Sequence, residues 1–166
     1  MESSAPDLTS ARVWRRGRAY EGFAVGDVHE HHWGRTVTEA DALLFATATL
    51  AHNPLYLNAD HARRCGHPGL VVDPYLVLAV VIGLSVEDLS ERSEAFLGIE
   101  AAEFGEPVHP GDTITARSTV REVRPSRSNP ANGIVTWATE GRNQRGERVV
   151  SLTRSNLFRI GLDAAE

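Results

Sequence analysis

Between residues 36 and 84 the chain sets its densest group of polar, potentially reactive side chains directly against a long apolar run, so chemistry is expected there. His52 carries an imidazole, the side chain type suited to proton transfer at neutral pH. Tyr56 carries a hydroxyl that can polarise a carbonyl or act as a general acid, although a phenol with a pKa near ~10 is a poor base. Asn53, Asn58, Asp73 and Tyr75 stand close by in sequence. Each also has a structural reading: His52 can face solvent, Tyr56 can pack, Asn53 can serve its turn, and Asn58 and Asp73 can cap helices. Upstream, His29, His31 and His32 look like a metal cluster. Two imidazoles on one strand face make a weak site without a third ligand, so these are read as polar positions on an exposed strand, and no metal is expected. His61, His67 and His109 fall in helix or loop contexts and need no special role. Cys65 has no basic partner in sequence and is expected to pack as a small apolar residue.

The elements that position this stretch follow from local signals. Thr36-Val37-Thr38-Glu39 has a hydroxyl residue three before Glu, the spacing of a capping box. Ala40, Leu43, Leu44, Thr47 and Ala48 then recur at three- and four-residue spacing, which predicts an amphipathic helix presenting Leu43 and Leu44 to a core. Asn53-Pro54 interrupts it, because proline disfavours the α conformation in the preceding residue. Residues 51–58 are therefore expected to form an exposed turn, with Asn58 capping a short helix over 59–65. Asp73-Pro74 is a cap residue followed by proline at the first helical position. The run 74–84 carries no charge, so it predicts a helix buried all round and too short to span a bilayer. Residues 20–27 alternate apolar and polar before a Gly-Asp turn, and 85–94 reads as an acidic surface connection. Strands are expected over 95–104, 113–124, 133–143 and 148–160, the last three as an antiparallel meander. The result is an α+β domain in which a sheet wraps one central helix.

Composition sets the limits. At 166 residues the chain is expected to be one domain over 12–161, with a flexible tail at 1–11 and another at 162–166. A net charge of -5 argues against nucleic-acid or anionic-membrane partners. Arg12, Arg15, Arg16 and Arg18 beside Trp14 are read as a solvated edge or subunit contact on this acidic chain. All 17 basic residues are arginine, which excludes Schiff-base lysine chemistry. A single cysteine, no signal-peptide pattern and no transmembrane run point to a reducing cytoplasm.

Several separated stretches together resemble the MaoC-like acyl-thioester hydratases and dehydratases, which have the hotdog fold. They are Tyr20-Glu21-Gly22-Phe23-Ala24-Val25-Gly26-Asp27, Gly34-Arg35-Thr36-Val37-Thr38-Glu39-Ala40-Asp41, Asn53-Pro54-Leu55, Pro107-Val108-His109-Pro110-Gly111-Asp112-Thr113 and Asn143-Gln144-Arg145-Gly146-Glu147. Ser126-Arg127-Ser128 and Gly133-Ile134-Val135 are similar to the mesaconyl-CoA hydratase-like branch. The resemblance implies a long helix swaddled by a curved antiparallel sheet, dimerised edge to edge. It also implies an acyl-CoA or acyl-carrier-protein thioester in a tunnel between subunits, and no further cofactor. In such enzymes an Asp and a His spaced Asp-x-Asn-Pro-Leu-His position a water for addition to the enoyl double bond, and a backbone N–H at the start of the central helix holds the thioester oxygen. Here Ala51 stands at the Asp position, Tyr56 at the His position, and Pro74, which has no N–H, at the donor position. The family reading therefore moves the base role to His52 or Asp73 and has Tyr56 orient the thioester carbonyl, with Asn53, Asn58 and Tyr75 against the substrate. Thioester hydrolysis, decarboxylation or isomerisation on the same scaffold, and a non-catalytic subunit paired with a catalytic one, are the other readings it leaves open.

Overall fold

The computed structural model describes residues 17–161; the expected tails, and the basic segment up to Arg16, lie outside the described residues. Two short strands, β1 (Val28–Glu30) and β2 (Arg35–Thr36), lead into helices α1 (Glu39–Ala48), α2 (Pro54–Leu57), α3 (Ala59–Arg64) and α4 (Pro74–Leu84). A π-helical turn, Val86–Ser90, then precedes four long strands, β3 (Ala95–Phe104), β4 (Thr113–Pro125), β5 (Asn132–Arg142) and β6 (Arg148–Arg159). The sheet runs β1-β4-β5-β6-β3, all antiparallel, with β2 paired to the end of β4. Register shifts between Phe96 and Gly98, between Ile99 and Ala101, and between Val120 and Glu122 interrupt the ladders, and such bulges bend strands.

The central helix begins where expected. The Asp73 carboxylate accepts from the Tyr75 N–H at 2.8 Å, and Pro74 fills the first helical position. Val77, Val80 and Val81 press onto Ile114, Ala116, Val150 and Leu152 from the sheet. Within the single chain, however, the helix is not buried all round: Tyr75, Ala79 and Gly83, one stripe at four-residue spacing, stay open. On the closed side the backbone of β5 approaches the helix so nearly that a Cβ at Gly141 would collide with Val81 Cγ2 and sit 3.2 Å from Val150 Cγ1. Gly141→Ala is therefore expected to cost about 1–3 kcal/mol in urea unfolding, since β-branched neighbours cannot swing aside.

Several local expectations shift. The true cap of α1 is Thr38 with Asp41, not Thr36 with Glu39: the Thr38 hydroxyl accepts from the Asp41 N–H at 3.1 Å and the Asp41 carboxylate accepts from the Thr38 N–H at 2.9 Å. The buried face of α1 is Ala42 and Ala46, and Leu44 points outward. Residues 51–58 are mostly exposed, as expected, but form more than a turn, because the Asn53 side chain caps the helical turn α2. Residues 20–27 are not a strand: a 3-10 turn at Tyr20–Gly22 is followed by an Asp27 carboxylate that accepts from the Ala24 N–H at 3.0 Å, and pairing begins only at Val28. The 85–94 connection contributes to the interior through Ser85 and Leu89, both fully buried. Among the described residues, no helix is long and apolar enough to cross a membrane.

Candidate functional site

A cavity of about 230 Å³ opens at the N-terminal end of α4. Its walls are Leu55, Val72, Val77, Phe104, Val108 and Val149, and its polar groups include Tyr56, His67 and Glu106. Tyr56 is carried in by α2, whose position is fixed by the Asn53 cap and by the Val71 N–H donating to the Leu55 carbonyl at 3.0 Å. Burial pushes the Tyr56 hydroxyl above the ordinary phenol value, and the nearby Asp73 carboxylate and Tyr75 push the same way. The group therefore stays protonated at neutral pH and is available as a hydrogen-bond donor.

The other sequence candidates separate. Asp73 is buried beside Tyr56 but is engaged as the cap of α4. His52 is exposed and does not line the cavity. Asn53 and Asn58 turn their side-chain oxygens to the N–H groups of Leu55 and His61, both at 3.0 Å. Tyr75 lies outside the lining, exposed and edge-on to Phe104 with ring centroids 6.0 Å apart. Cys65, expected to pack, is exposed, with its sulfur 3.5 Å from His61 Nε2.

Two histidines that the sequence left without a role meet at this site. The His67 N–H donates to the Ala62 carbonyl at 3.1 Å, just past Gly66, which holds a left-handed φ of 93°. This end of α3 delivers His67 to the cavity wall. Its Nδ1 lies 3.4 Å from His109 Nε2, and His109 Nδ1 lies 3.9 Å from an Asp112 oxygen. Burial alone would raise Asp112, but the His109 backbone N–H at 2.9 Å, the Gln144 amide at 2.6 Å and the Arg145 guanidinium at 3.1 Å outweigh it and hold the carboxyl below its usual range. Burial pushes His109 below the ordinary imidazole value, with His67 and Arg145 adding to the effect and Asp112 opposing it. The two loops are sewn together by the Val72 N–H donating to the Val108 carbonyl at 2.8 Å.

Of the upstream histidines, His29 and His31 are buried, not exposed as the sequence suggested, whereas His32 is exposed as expected. His31 bridges Asp88 through Nδ1 at 2.7 Å and the Ser118 hydroxyl through Nε2 at 2.8 Å, tying the π-helical turn to β4. Ser118 is fully buried on the helix-facing side, so this Asp-His-Ser line is structural. His29 lies 6.4 Å from the Phe23 ring, centroid to centroid, and its pKa is lowered chiefly by burial, with Arg18 and His31 contributing. Among the described residues no three His, Cys, Asp or Glu side chains converge to hold a metal ion.

These shifts set a direction for stability. Both His29 and His109 prefer the neutral form in the fold, so their protonation favours the unfolded chain. Stability is full above the unfolded imidazole value of about 6.5 and falls as the pH drops through it toward the lower folded values. The urea midpoint is expected to be lower at pH 5.5 than at pH 7.5, by a smaller margin in His29→Leu; an equal margin would remove His29 from this effect.

The sequence model of the family described as mesaconyl-CoA hydratase matches residues 2–161. A mesaconyl-CoA hydratase of Haloarcula hispanica is 40% identical over 152 residues, covering 91% of this chain and 42% of that protein. One from Cereibacter sphaeroides is 36% identical, covering 83% of this chain and 40% of that protein. The chain thus spans about two fifths of the length of these curated relatives. A solved MaoC-like dehydratase from Rhodospirillum rubrum superposes with a TM-score of 0.73 at 30% identity, covering 84% of this chain and 95% of that one. The expected hotdog arrangement of sheet and helix is therefore a shared frame, and sequence likeness running along nearly the whole chain makes it a member of the mesaconyl-CoA hydratase family.

Proposed function

We propose that this protein binds an acyl thioester, carried on CoA or on an acyl carrier protein, and adds or removes water at the β-carbon. The observation that carries the reading is the mainly apolar cavity at the head of α4, whose polar groups include one phenol, one imidazole and the Glu106 carboxylate. Aliphatic walls suit a short acyl chain, and a few convergent polar groups suit its reacting end. Pro74 offers no N–H to a thioester oxygen, and the Tyr75 N–H is engaged by Asp73. The Tyr56 hydroxyl, kept protonated by its surroundings, takes over as the donor to that oxygen as negative charge develops on it. No cofactor is called for, and a reducing cytoplasm is the compartment that fits.

A second copy of the chain completes the site in this reading. β3 is an edge strand with Phe96, Ile99 and Phe104 exposed, and Phe104 stands edge-on to Tyr75 in the open stripe of α4. An unpaired apolar edge of this length is a ready surface for strand pairing. Phe104 also lines the cavity, so a partner covering it would form part of the tunnel wall. Sedimentation is expected to give a particle of two chains, or a multiple of two.

Loss of absorbance from the conjugated thioester on mixing with crotonyl-CoA or mesaconyl-CoA tests hydration. Release of free thiol instead would identify a thioesterase. Ala51 and Pro74, which replace the family's carboxylate and its N–H donor, favour one other reading: a non-catalytic subunit. Inactivity with both substrates, together with stable co-purification with a homologue that retains the Asp/His pair, would establish it.

A further inference from the structure

Resting on the hydratase reading, we propose that His67 is the proton-transferring residue of the cavity, held in one tautomer by His109 and Asp112, which act as positioning residues. The line runs from the ionised Asp112 carboxylate to His109 Nδ1 at 3.9 Å, and from His109 Nε2 to His67 Nδ1 at 3.4 Å. A carboxylate beside His109 Nδ1 favours the proton on that nitrogen, which leaves Nε2 as an acceptor. His109 can then accept only from an Nδ1–H of His67. The remaining nitrogen of His67, Nε2, is left with its lone pair on a residue that lines the same cavity as Tyr56. Asp112 is itself fixed by Gln144 and Arg145, so the orienting end of the line is rigid. The family's carboxylate and imidazole positions are Ala51 and Tyr56 here, and among the residues lining this cavity His67 is the imidazole.

In the hydration direction, His67 Nε2 takes a proton from water as the water oxygen bonds to the β-carbon. The double-bond pair moves toward the thioester, leaving an enolate whose oxygen accepts from the Tyr56 hydroxyl. The His67 imidazolium then gives its proton to the α-carbon, the enolate pair forms the new C–H bond, and neutral His67 is restored. One water is added, and nothing is oxidised or reduced.

The test uses the full chain with crotonyl-CoA and mesaconyl-CoA as substrates and butyryl-CoA as a non-reacting ligand. His67→Gln is expected to lower kcat at least a hundredfold while butyryl-CoA Kd stays within about threefold, as loss of a general acid–base residue requires. His109→Leu is expected to lower kcat about tenfold with KM little changed, and His109→Gln, whose carbonyl can still accept from His67 Nδ1–H, to recover part of that loss. Nitrogen-15 spectra of the imidazoles should place the His67 proton on Nδ1 in the wild type and on both nitrogens in a mixture in His109→Leu. Turnover of His67→Gln within threefold of wild type, or a His67 proton on Nε2, would overturn the assignment. If the wild type hydrates neither thioester, the hydratase reading fails separately. The proton-transfer role falls with it, and the spectra then judge the His67 placement alone: a Nδ1–H tautomer whose Nε2 resonance moves on adding butyryl-CoA upholds that placement, and no movement overturns it.

Discussion

Truncating Trp137 to alanine is expected to remove about 3–5 kcal/mol of stability, a large part of what a domain of this size holds. Trp137 is fully buried on the helix-facing side of β5, edge-on to Phe23 and Phe158 with centroids 5.6 Å and 5.9 Å away. Its ring also underlies Arg154, whose guanidinium carbon sits 5.1 Å from the centroid. Arg154 is 1% exposed, and burial brings its pKa down to about 10, so it is still a cation at neutral pH. Among the described residues it hydrogen-bonds no carboxylate: its partners are the Ser85 hydroxyl at 2.8 Å, the Asn156 carbonyl at 3.3 Å and the Ser90 hydroxyl at 3.4 Å. Removing the indole thus leaves a cavity and also strips a buried cation of its aromatic face. Arg154→Met is the informative companion, because it keeps apolar volume and deletes the charge that costs desolvation; it is expected to lose less than half as much as Trp137→Ala. Urea unfolding followed by far-ultraviolet circular dichroism measures both. A loss under 1 kcal/mol for Trp137→Ala would mean that the aromatic cluster around it is not what anchors this end of the sheet.

How far the sequence could be read depended on the range of the signal. The start of α4 was legible because Asp73-Pro74 is a local cap whose geometry needs nothing distant. The strands β4, β5 and β6 were legible because alternating β-branched residues record which face is buried. The face of α1 was misread because the spacing of Leu43, Leu44, Thr47 and Ala48 was followed, whereas the buried pair is Ala42 and Ala46, one turn apart. His29 and His31 looked exposed because burial of a short strand depends on what later segments lay over it, and Asp88 and Ser118 arrive 57 and 87 residues downstream of His31. Arg154 gave no hint of being interior, since a basic residue in a strand reads as outward-facing. At the site, Tyr56 was found by its place in a motif, whereas His67 and His109 are 42 residues apart and are joined only by the fold. Topology decides that pairing, and neither loop carries a pattern that announces it.

Tyr56→Phe is expected to cut any hydration or dehydration by at least tenfold, about 1.4 kcal/mol of transition-state stabilisation. The substitution keeps the ring in the cavity wall and removes one O–H, so the melting temperature should hardly change. Because the hydroxyl meets a full negative charge only once the enolate forms, the loss should fall on kcat with little effect on KM. Its upper bound is the hundred- to thousandfold seen when a donor to a developing oxyanion is deleted. The phenol pKa is raised by burial and by Asp73, so within the neutral range the group does not ionise and the penalty should be independent of pH. Asp73→Asn separates the two parts of this reasoning. It keeps an oxygen to cap α4 but withdraws the negative charge beside Tyr56, so the phenol should titrate at lower pH while turnover near neutrality stays close to wild type. Unchanged turnover in Tyr56→Phe would exclude the hydroxyl from the reaction. The thioester oxygen would then need another donor, because Pro74 at the first helical position can supply none.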